Sequence, residues 1–384
     1  MKLDKMFVSA LAVMALVACS KDSEGGSTGS PEGQGLSVTV AIKSGTRSVV
    51  AGSDSFTSQT AITLEDVTVF FSNGVNGNIV DTKTFSAEEI AAGSAVFHNI
   101  NPSASHAVVV ANAASLLTPV PTSIAALDAV NLTLSGLQDL ASVPLKSNVG
   151  ALVANDGEHT PPADGSENEV EVDYRQVELT VVPVLARIEI GGTLTLTATD
   201  GNADGKFAYS KFTPAYVGLN GLHDLCTLAG TGVGEAVWAT DNQLGFPNVG
   251  TTPAWMYDAF EEADAVDLIG DADHSFALSN VYAYNVMPGE KPVVMLRFAS
   301  DPLPAAEIPA GITVASPAYL KIVNFTDAAT SQPLTIEAGK IYTIKDITFD
   351  QTDLTWLDNT VLCVEVTVTV EDWQIEDVTP EFGE

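Results

Sequence analysis

The chain has 384 residues, of which 46% are apolar and 17% are charged, and 49 acidic against 16 basic residues give it a formal charge of −33. The apolar share excludes wholesale disorder, and the length suffices for two domains with separate cores. An electrostatic field of this sign repels nucleic acid and anionic lipid, so the composition excludes a nucleic-acid partner.

The first 18 residues have the pattern of a signal peptide. Lys2 and Lys5 precede an apolar run over 6–18 that is too short to span a bilayer. The run ends in LVAC, a lipobox, which predicts that Cys19 becomes the lipidated first residue of the exported protein. Residues 19–35 are rich in Gly and Ser and are predicted to form a flexible tether.

The stretch after the tether has the period-2 pattern of a half-buried strand. Its apolar positions are Leu36, Val38, Val40 and Ile42, and they alternate with small or polar residues. Five residues after Ile42 stands Arg47, one of four arginines in the chain. The pattern by itself leaves two interpretations open, a protease target behind a strand and an ordinary loop arginine behind an edge strand.

The rest of the chain is predicted to be almost entirely β. Runs rich in β-branched residues are separated by Gly, Asn, Asp and Pro clusters, as in sandwiches with hairpin turns. Helical periodicity is confined to short pieces at 86–93 and 121–131. The fold class is therefore all-β with short helical insertions. Clear strand candidates include 65–71, 94–98, 106–112, 176–182, 185–190, 192–198, 292–298, 341–349 and 361–370.

The sequence predicts a division into two domains near Pro183. Residues 153–172 are polar, acidic and rich in Pro and Gly, which indicates a solvated loop. Pro183 cannot donate a hydrogen bond inside a sheet, so it favours a boundary between two strands of different domains. We expect an N-terminal domain over 36–183 and a C-terminal domain over 184–384.

Motifs that carry chemistry are scarce. The five histidines are scattered without metal-like spacing, and no G-x-S-x-G or phosphate-binding loop occurs. Asp200, Asn202 and Asp204 match the opening of a calcium loop, but Lys211 stands where a bidentate Glu would be required. A polar turn between two strands explains the same residues.

Cysteines and tryptophans also allow two interpretations each. Cys226 and Cys363 could pair in an oxidising envelope, or each could be a small buried hydrophobe. The tryptophans, with Tyr257 near the second of them, could form an aromatic platform for sugar or pack in a β core. If the tryptophans form a sugar platform, the chain would function as a surface glycan-binding lipoprotein, which is one of two functions that the sequence allows. The tryptophans are Trp238, Trp255, Trp356 and Trp373.

The lipobox, tether, first strand and Arg47 together resemble a fimbrillin, a subunit of the type V pili of Bacteroidota. The segment LSVTVAIKSGTRS over 36–48 resembles the family's first strand and processing site. A basic residue common in the family is missing at Val182 or Pro183. Four further segments are similar to paired strands of the first domain, the crossing between domains, the closing strands and the C-terminal extension: 95–114, 177–190, 334–349 and 366–382.

The resemblance implies two transthyretin-like β-sandwich domains and export as an outer-membrane lipoprotein. It also implies that an arginine-specific protease cuts between Arg47 and Ser48. Removal of the strand 36–47 would open a groove that accepts the C-terminal strand of another subunit. The expected product is a homopolymeric fimbrium on the cell surface that supports adhesion, without cofactor or catalysis. Within it, a shaft subunit is favoured over a tip or an anchor.

The C-terminus, about 362–384, offers two candidate donor strands. The first could equally be the last strand of its own domain, and the second is the one we favour. The second changes parity between Ile375 and Val378, which requires a bulge, and Pro380 removes one hydrogen-bond donor. The two candidate faces are Val364, Val366, Val368 and Val370, and Trp373, Ile375, Val378 and Phe382.

Overall fold

A computed structural model describes residues 36–43, 47–49, 59–139, 143–155, 173–197, 207–223, 225–233, 257–260, 266–268, 273–289, 292–355 and 364–372. The described part is nearly all β, with its sheets curled into sandwich-like layers, so the predicted all-β sandwich class is confirmed. The finer prediction of a transthyretin-like arrangement stays a prediction.

The first half of the chain carries twelve described strands and both described α-helices. The strands are β1 (Leu36–Lys43), β2 (Arg47–Val49), β3 (Gln59–Ala61), β4 (Val67–Ser72), β5 (Ile79–Thr84), β6 (Ser94–Ile100), β7 (His106–Ala111), β8 (Asn131–Thr133), β9 (Leu145–Ser147), β10 (Gly150–Ala151), β11 (Val153–Ala154) and β12 (Asp173–Pro183). The helices are α1 (Ala87–Ala92) and α2 (Ile124–Asp128), with 3-10 turns at Ala114–Leu116 and Leu134–Gly136.

The second half carries the other twelve described strands. They are β13 (Ala186–Thr197), β14 (Tyr209–Asn220), β15 (Leu225–Thr227), β16 (Gly232–Val233), β17 (Tyr257–Ala259), β18 (Val266–Asp267), β19 (His274–Ala277), β20 (Tyr282–Val286), β21 (Val293–Pro302), β22 (Ala318–Asp327), β23 (Lys340–Asp350) and β24 (Val364–Asp372).

Two large sheets organise these strands. The first has the order β5-β4-β7-β9-β12-β1-β6, with β10 and β11 paired to its side. The second has the order β17-β14-β21-β22-β24-β23-β13-β19, with β18 and β20 paired to its side. The first sheet ends along the chain at Pro183 and the second begins at Ala186, next to the predicted boundary.

The strand β13 differs from the sequence-based prediction. Two separate strands were expected at 185–190 and 192–198, but one strand runs through Ala186–Thr197. A bulge between Gly191 and Leu194 interrupts its register with β23, and Gly192 has a φ of 79°. The extra residue of a bulge shifts the alternation of side chains, which is why the sequence pattern looked like a break.

The helix α1 follows directly from its local sequence. Ser86 caps the helix by accepting a hydrogen bond from the Glu89 backbone, and the Glu89 side chain accepts one from the Ser86 backbone. Gly93 ends the helix in the left-handed region, with a φ of 71°. The carbonyl oxygen of Gly93 accepts a hydrogen bond from the Ile42 backbone at 2.8 Å. The end of the helix is therefore bound to the C-terminal end of β1.

Two large apolar cores occupy the described part of the chain. The N-terminal core lies on one face of the first sheet and includes side chains from β1, β4, β6, β7 and β12. The extended core begins on the opposite face of the first sheet, at Phe70, Val108 and Val110, and continues through α2 into the second sheet. Both faces of β4 and β7 are therefore buried, which explains why their sequences are apolar runs.

Candidate functional site

The strand β1 is an interior strand of the first sheet. It runs parallel to β12, with Leu36 opposite Asp173 and Lys43 opposite Thr180. On its other side it is antiparallel to β6, which pairs with no other strand among the described residues. Removing β1 would leave facing rows of unpaired backbone groups on β12 and β6.

The predicted apolar face of β1 lies in the N-terminal core. Val38 and Val40 are fully buried, and Leu36 and Ile42 are 5% and 4% exposed. Their neighbours in that core include Phe97 of β6 and Leu179 of β12. The four side chains therefore fill the space that would become an apolar groove between β6 and β12 if β1 were removed.

The opposite face of β1 is held by polar contacts. The Ser37 hydroxyl lies 2.9 Å from Nδ1 of His98 on β6. The Lys43 ammonium lies 3.0 Å from the Glu178 carboxylate on β12, and both side chains are partly exposed. A mixed strand of this kind can be replaced by another strand that matches the apolar side and tolerates the polar one.

The far end of β12 carries its own ion pair. The guanidinium of Arg175 hydrogen-bonds to the Asp173 carboxylate, and this hydrogen bond lowers the pKa of Asp173. Both partners belong to β12, so the pair does not depend on β1. Only the end of the groove near Lys43 is held by a charge on β1.

The predicted cleavage position lies in a separate two-stranded ribbon. Arg47 and Ser48 belong to β2, which pairs antiparallel with β3. Each of these strands has three residues. A ribbon this short is marginally stable alone, so its pairing offers little resistance to a protease that binds an extended chain.

The strand β24 is interior to the second sheet. It lies between β22, to which it is parallel, and β23, to which it is antiparallel. The side chain of Val368 is fully buried in the extended core. This first candidate donor is therefore an integral strand of the second sheet, and its withdrawal would split that sheet.

The two sheets meet at a junction built around the segment 128–139. In a small sheet of order β16-β15-β8, the strand β8 pairs with β15 across the division of the chain. The Gln138 side chain exchanges hydrogen bonds with the Asn285 backbone at 3.0 and 3.1 Å. The side-chain amide of Asn285 donates a hydrogen bond to the backbone carbonyl of Leu137 at 2.6 Å.

A buried ion pair supports the same junction. Arg187 donates to Glu189 at 3.1 Å and to the Asn285 side chain at 3.0 Å, and all three side chains are buried. Burial lowers the pKa of Arg187, and the charge of Glu189 opposes that lowering. Sequence reasoning missed this network, because it joins residues almost 100 positions apart.

Several predicted residues lie outside the described part of the chain. They are the signal peptide and tether, Cys19, Cys363, the calcium candidates Asp200, Asn202 and Asp204, the four tryptophans, and Ile375, Val378 and Phe382. Cys226 is described and is buried in β15. Tyr257 packs edge-on against Tyr216, with the ring centroids 6.3 Å apart.

Two other classes of site, a metal centre and a membrane-spanning helix, are not found within the described ranges. No group of three or more His, Cys, Asp or Glu side chains within the described ranges is arranged to hold a metal ion. Within the same ranges, every helix is too short or too polar to cross a membrane.

No protein-family model matches the chain, and no curated protein matches it by sequence. Among solved structures, the chain is similar to a putative cell adhesion protein from Bacteroides eggerthii, with 17% identity and a TM-score of 0.55 over 90% of this chain and 98% of that one. It also aligns with a fimbrilin from Porphyromonas gingivalis, with 14% identity and a TM-score of 0.49 over 89% and 98% of the two chains. The first likeness shows a shared fold along nearly the whole chain, so the resemblance drawn from the sequence is confirmed for the fold.

Proposed function

We propose that this protein is a structural pilus subunit that polymerises by exchanging β1 for the C-terminal tail of another copy. The observation that carries the proposal is the position of β1. It is an interior strand that contributes four buried apolar side chains, and Arg47 follows it four residues after Lys43. A single cut after Arg47 would separate this strand from the body of the protein.

The loss of β1 has a large energetic consequence. Each buried side chain of this size contributes about 1.5–3 kcal/mol, so four of them amount to a substantial part of a domain's stability. The cut protein would keep an apolar groove and two open strand edges. Any strand with matching period-2 side chains would gain both the backbone pairing and the apolar contacts.

The tail over 373–382 is the donor in this proposal. The interior position of β24 favours the tail over the face at 364–370, because β24 itself could not leave without opening the second sheet. Each subunit then donates its tail to one neighbour and accepts the tail of another neighbour in its groove. Such a contact does not close on itself, so it produces a filament.

The earlier steps of the pathway complete the proposal. Lipidation at Cys19 would hold the precursor in the outer membrane, and an arginine-specific protease would release the body at the cell surface. The name of the similar protein from Bacteroides eggerthii, a putative cell adhesion protein, agrees with a role of the filament in adhesion. The subunit itself would need neither cofactor nor catalysis.

Treatment of the purified protein with an arginine-specific protease tests the proposal. We expect a new N-terminus at Ser48 and a ladder of polymers on a gel run without boiling. The Arg47→Gln variant should keep β1 and stay monomeric. A chain that ends at Asp372 should be cut but should not polymerise alone. A wild-type chain that is cut at Arg47 and stays monomeric would contradict the proposal.

The N-terminal residue of the protein taken from the cell surface tests the processing steps separately. A shaft subunit should begin at Ser48. A lipidated Cys19 in the assembled protein would instead indicate an anchor subunit, or the alternative function of a surface glycan-binding lipoprotein.

A further inference from the structure

The segment 145–154 brings a glycine close to the strand that forms one wall of the groove. It lies along the side of β12 that faces away from β1, where β11 and β9 pair with β12 at 175–176 and 181–183. Between them, β10 pairs with β7 instead, with Gly150 opposite Ala107. A glycine inside a strand weakens it and often marks a place where another part of the chain approaches closely.

Gly150 is required by lack of space rather than by backbone conformation. Its φ lies outside the left-handed region, so the backbone itself would accept an alanine. A Cβ atom at Gly150 would lie 2.9 Å from Cγ2 of Val177 and 2.6 Å from Cδ2 of Leu179. Non-bonded carbon atoms prefer separations of about 3.5–4.0 Å, so a side chain at Gly150 would collide with both. These two side chains belong to β12 and are buried in the N-terminal core.

Val177 lies between Gly150 and the place of β1. It is directly opposite Val40, with which it shares the core face of the sheet. On the other side of β1, Ala95 of β6 lies opposite Val40. The end of the Leu179 side chain can turn aside, whereas the β-branched Val177 is restricted at χ1 and yields less easily. A side chain at Gly150 would therefore displace Val177 toward Val40, which is fully buried.

We propose that Gly150 is a positioning residue that sets the size of the side chain accepted at the place of Val40. The inference rests on the proposed function, because it concerns the strand that fills the groove after β1 has left. The space at Gly150 lets Val177 pack away from β1, which leaves room for a side chain as large as valine. A methyl group at Gly150 would reduce that room to the size of alanine. The partner is therefore a strand of a second copy that carries a side chain of valine size at this position.

The other end of the groove provides an internal reference. Leu36 is four residues from Val40, which is about 13 Å along an extended strand. It is almost as buried as Val40, but its neighbour on β12 is Asp173 instead of Val177. A change at Gly150 should therefore alter the fit of the side chain at the place of Val40 and leave the fit at the place of Leu36 unchanged.

A double-mutant cycle in the uncut full-length protein, measured by urea unfolding, tests the coupling. We expect Gly150→Ala to raise the equilibrium constant of unfolding at least about tenfold, because the added methyl group overpacks the core. The cost of Val40→Ala should be at least about fivefold smaller in the Gly150→Ala background than alone, and the cost of Leu36→Ala should be equal in both within about twofold. The matched control is Gly136→Ala, where a Cβ atom would meet nothing within 4 Å. It should be neutral or slightly stabilising.

Peptides of residues 36–47 test the same preference in the protease-cut full-length protein, where they compete for the groove and inhibit polymerisation. On the wild type, the native peptide should inhibit at a concentration about ten- to fiftyfold lower than a peptide with Val40→Ala. On Gly150→Ala, this preference should fall to within about threefold or reverse. A peptide with Leu36→Ala should lose the same factor on both proteins. A general loss of stability would weaken all peptides alike and would leave the preference unchanged.

The outcomes separate the inference from the proposed function. An equal cost of Val40→Ala in the two backgrounds, or an unchanged peptide preference, would overturn the role of Gly150 while polymerisation itself continues. If Gly150→Ala does not fold, adding Val177→Ala decides the matter: recovery of the fold supports the collision, and continued failure overturns it. A wild-type cut protein that forms no polymer would overturn the proposed function, and the cycle in the uncut protein would still test the action of Gly150 on the place of Val40.

Discussion

The strands β1 and β13 occupy similar places in the two sheets, but different interactions hold them there. Each is parallel to a late strand of its own sheet, β12 for β1 and β23 for β13, and antiparallel to strands on its other side. The strand β13 carries the buried Arg187, which donates hydrogen bonds to Glu189 on the same strand and to Asn285 at the junction. The strand β1 carries one charged residue, Lys43, whose ion pair with Glu178 is partly exposed.

The difference teaches which strand a protein can exchange. A buried ion pair stabilises one arrangement only, because either charge is costly when its partner leaves. Apolar side chains accept any strand that matches their spacing and volume. The strand β1 therefore combines high burial with low specificity, and β13 combines burial with a fixed set of partners.

Removal of β1 should have the largest effect. A chain of residues 48–372 lacks both the strand and the tail. It should lose the roughly 6–12 kcal/mol of stabilisation that burial of the four apolar side chains contributes, and it should bind a dye for exposed apolar surface. A peptide of residues 36–47 should reverse the dye binding, and a chain of 36–372 is the control. If the shorter chain binds no dye and unfolds at the same denaturant concentration, β1 is not an essential part of the sandwich.

Loss of the buried ion pair on β13 should come next. The Arg187→Met variant leaves the buried Glu189 carboxylate without the guanidinium and should lower the free energy of unfolding by about 3–5 kcal/mol. The matched control is Arg175→Met, which breaks an exposed pair at the same spacing and should cost less than about 1 kcal/mol. Urea unfolding of both variants measures the difference. Similar costs would mean that burial does not distinguish the two pairs.

A cavity in the face of β1 should have a smaller effect. The Val40→Ala variant removes buried methyl groups and should cost about 2–3 kcal/mol in the uncut protein. In the cut protein Val40 is gone, so the rate and stability of polymers should match those of the wild type. The control is Thr39→Ala, whose side chain lies half-buried on the other face of the same strand. A polymer weakened by Val40→Ala would contradict the loss of β1.

The exposed ion pair of β1 should matter least. The Lys43→Gln variant should change the free energy of unfolding by less than about 1 kcal/mol, because both partners are partly exposed. Denaturant unfolding at low and high salt measures the change, which salt should reduce further. A cost as large as that of Arg187→Met would contradict the claim that β1, unlike β13, does not depend on an ion pair.

Part of the fold followed from the sequence because local rules act over a few residues. The alternation from Leu36 to Ile42 predicted β1 and its buried face, and the Ser86–Glu89 capping box accounts for α1. Strands β14 and β22 were missing from the prediction. Pro214 and a bulge interrupt β14, and its pairing with β21 nevertheless continues on both sides of the interruption. Tertiary pairing thus overrode a local signal against a strand.

The sequence by itself determined the β character and the period-2 face before Arg47, because each depends on neighbours along the chain. Only the tertiary structure decided that β1 lies between β12 and β6, and that β24 lies between β22 and β23. It also brought Arg187 to Asn285. Strand order and buried polar partners are set by contacts between distant parts of the chain, which periodicity does not record.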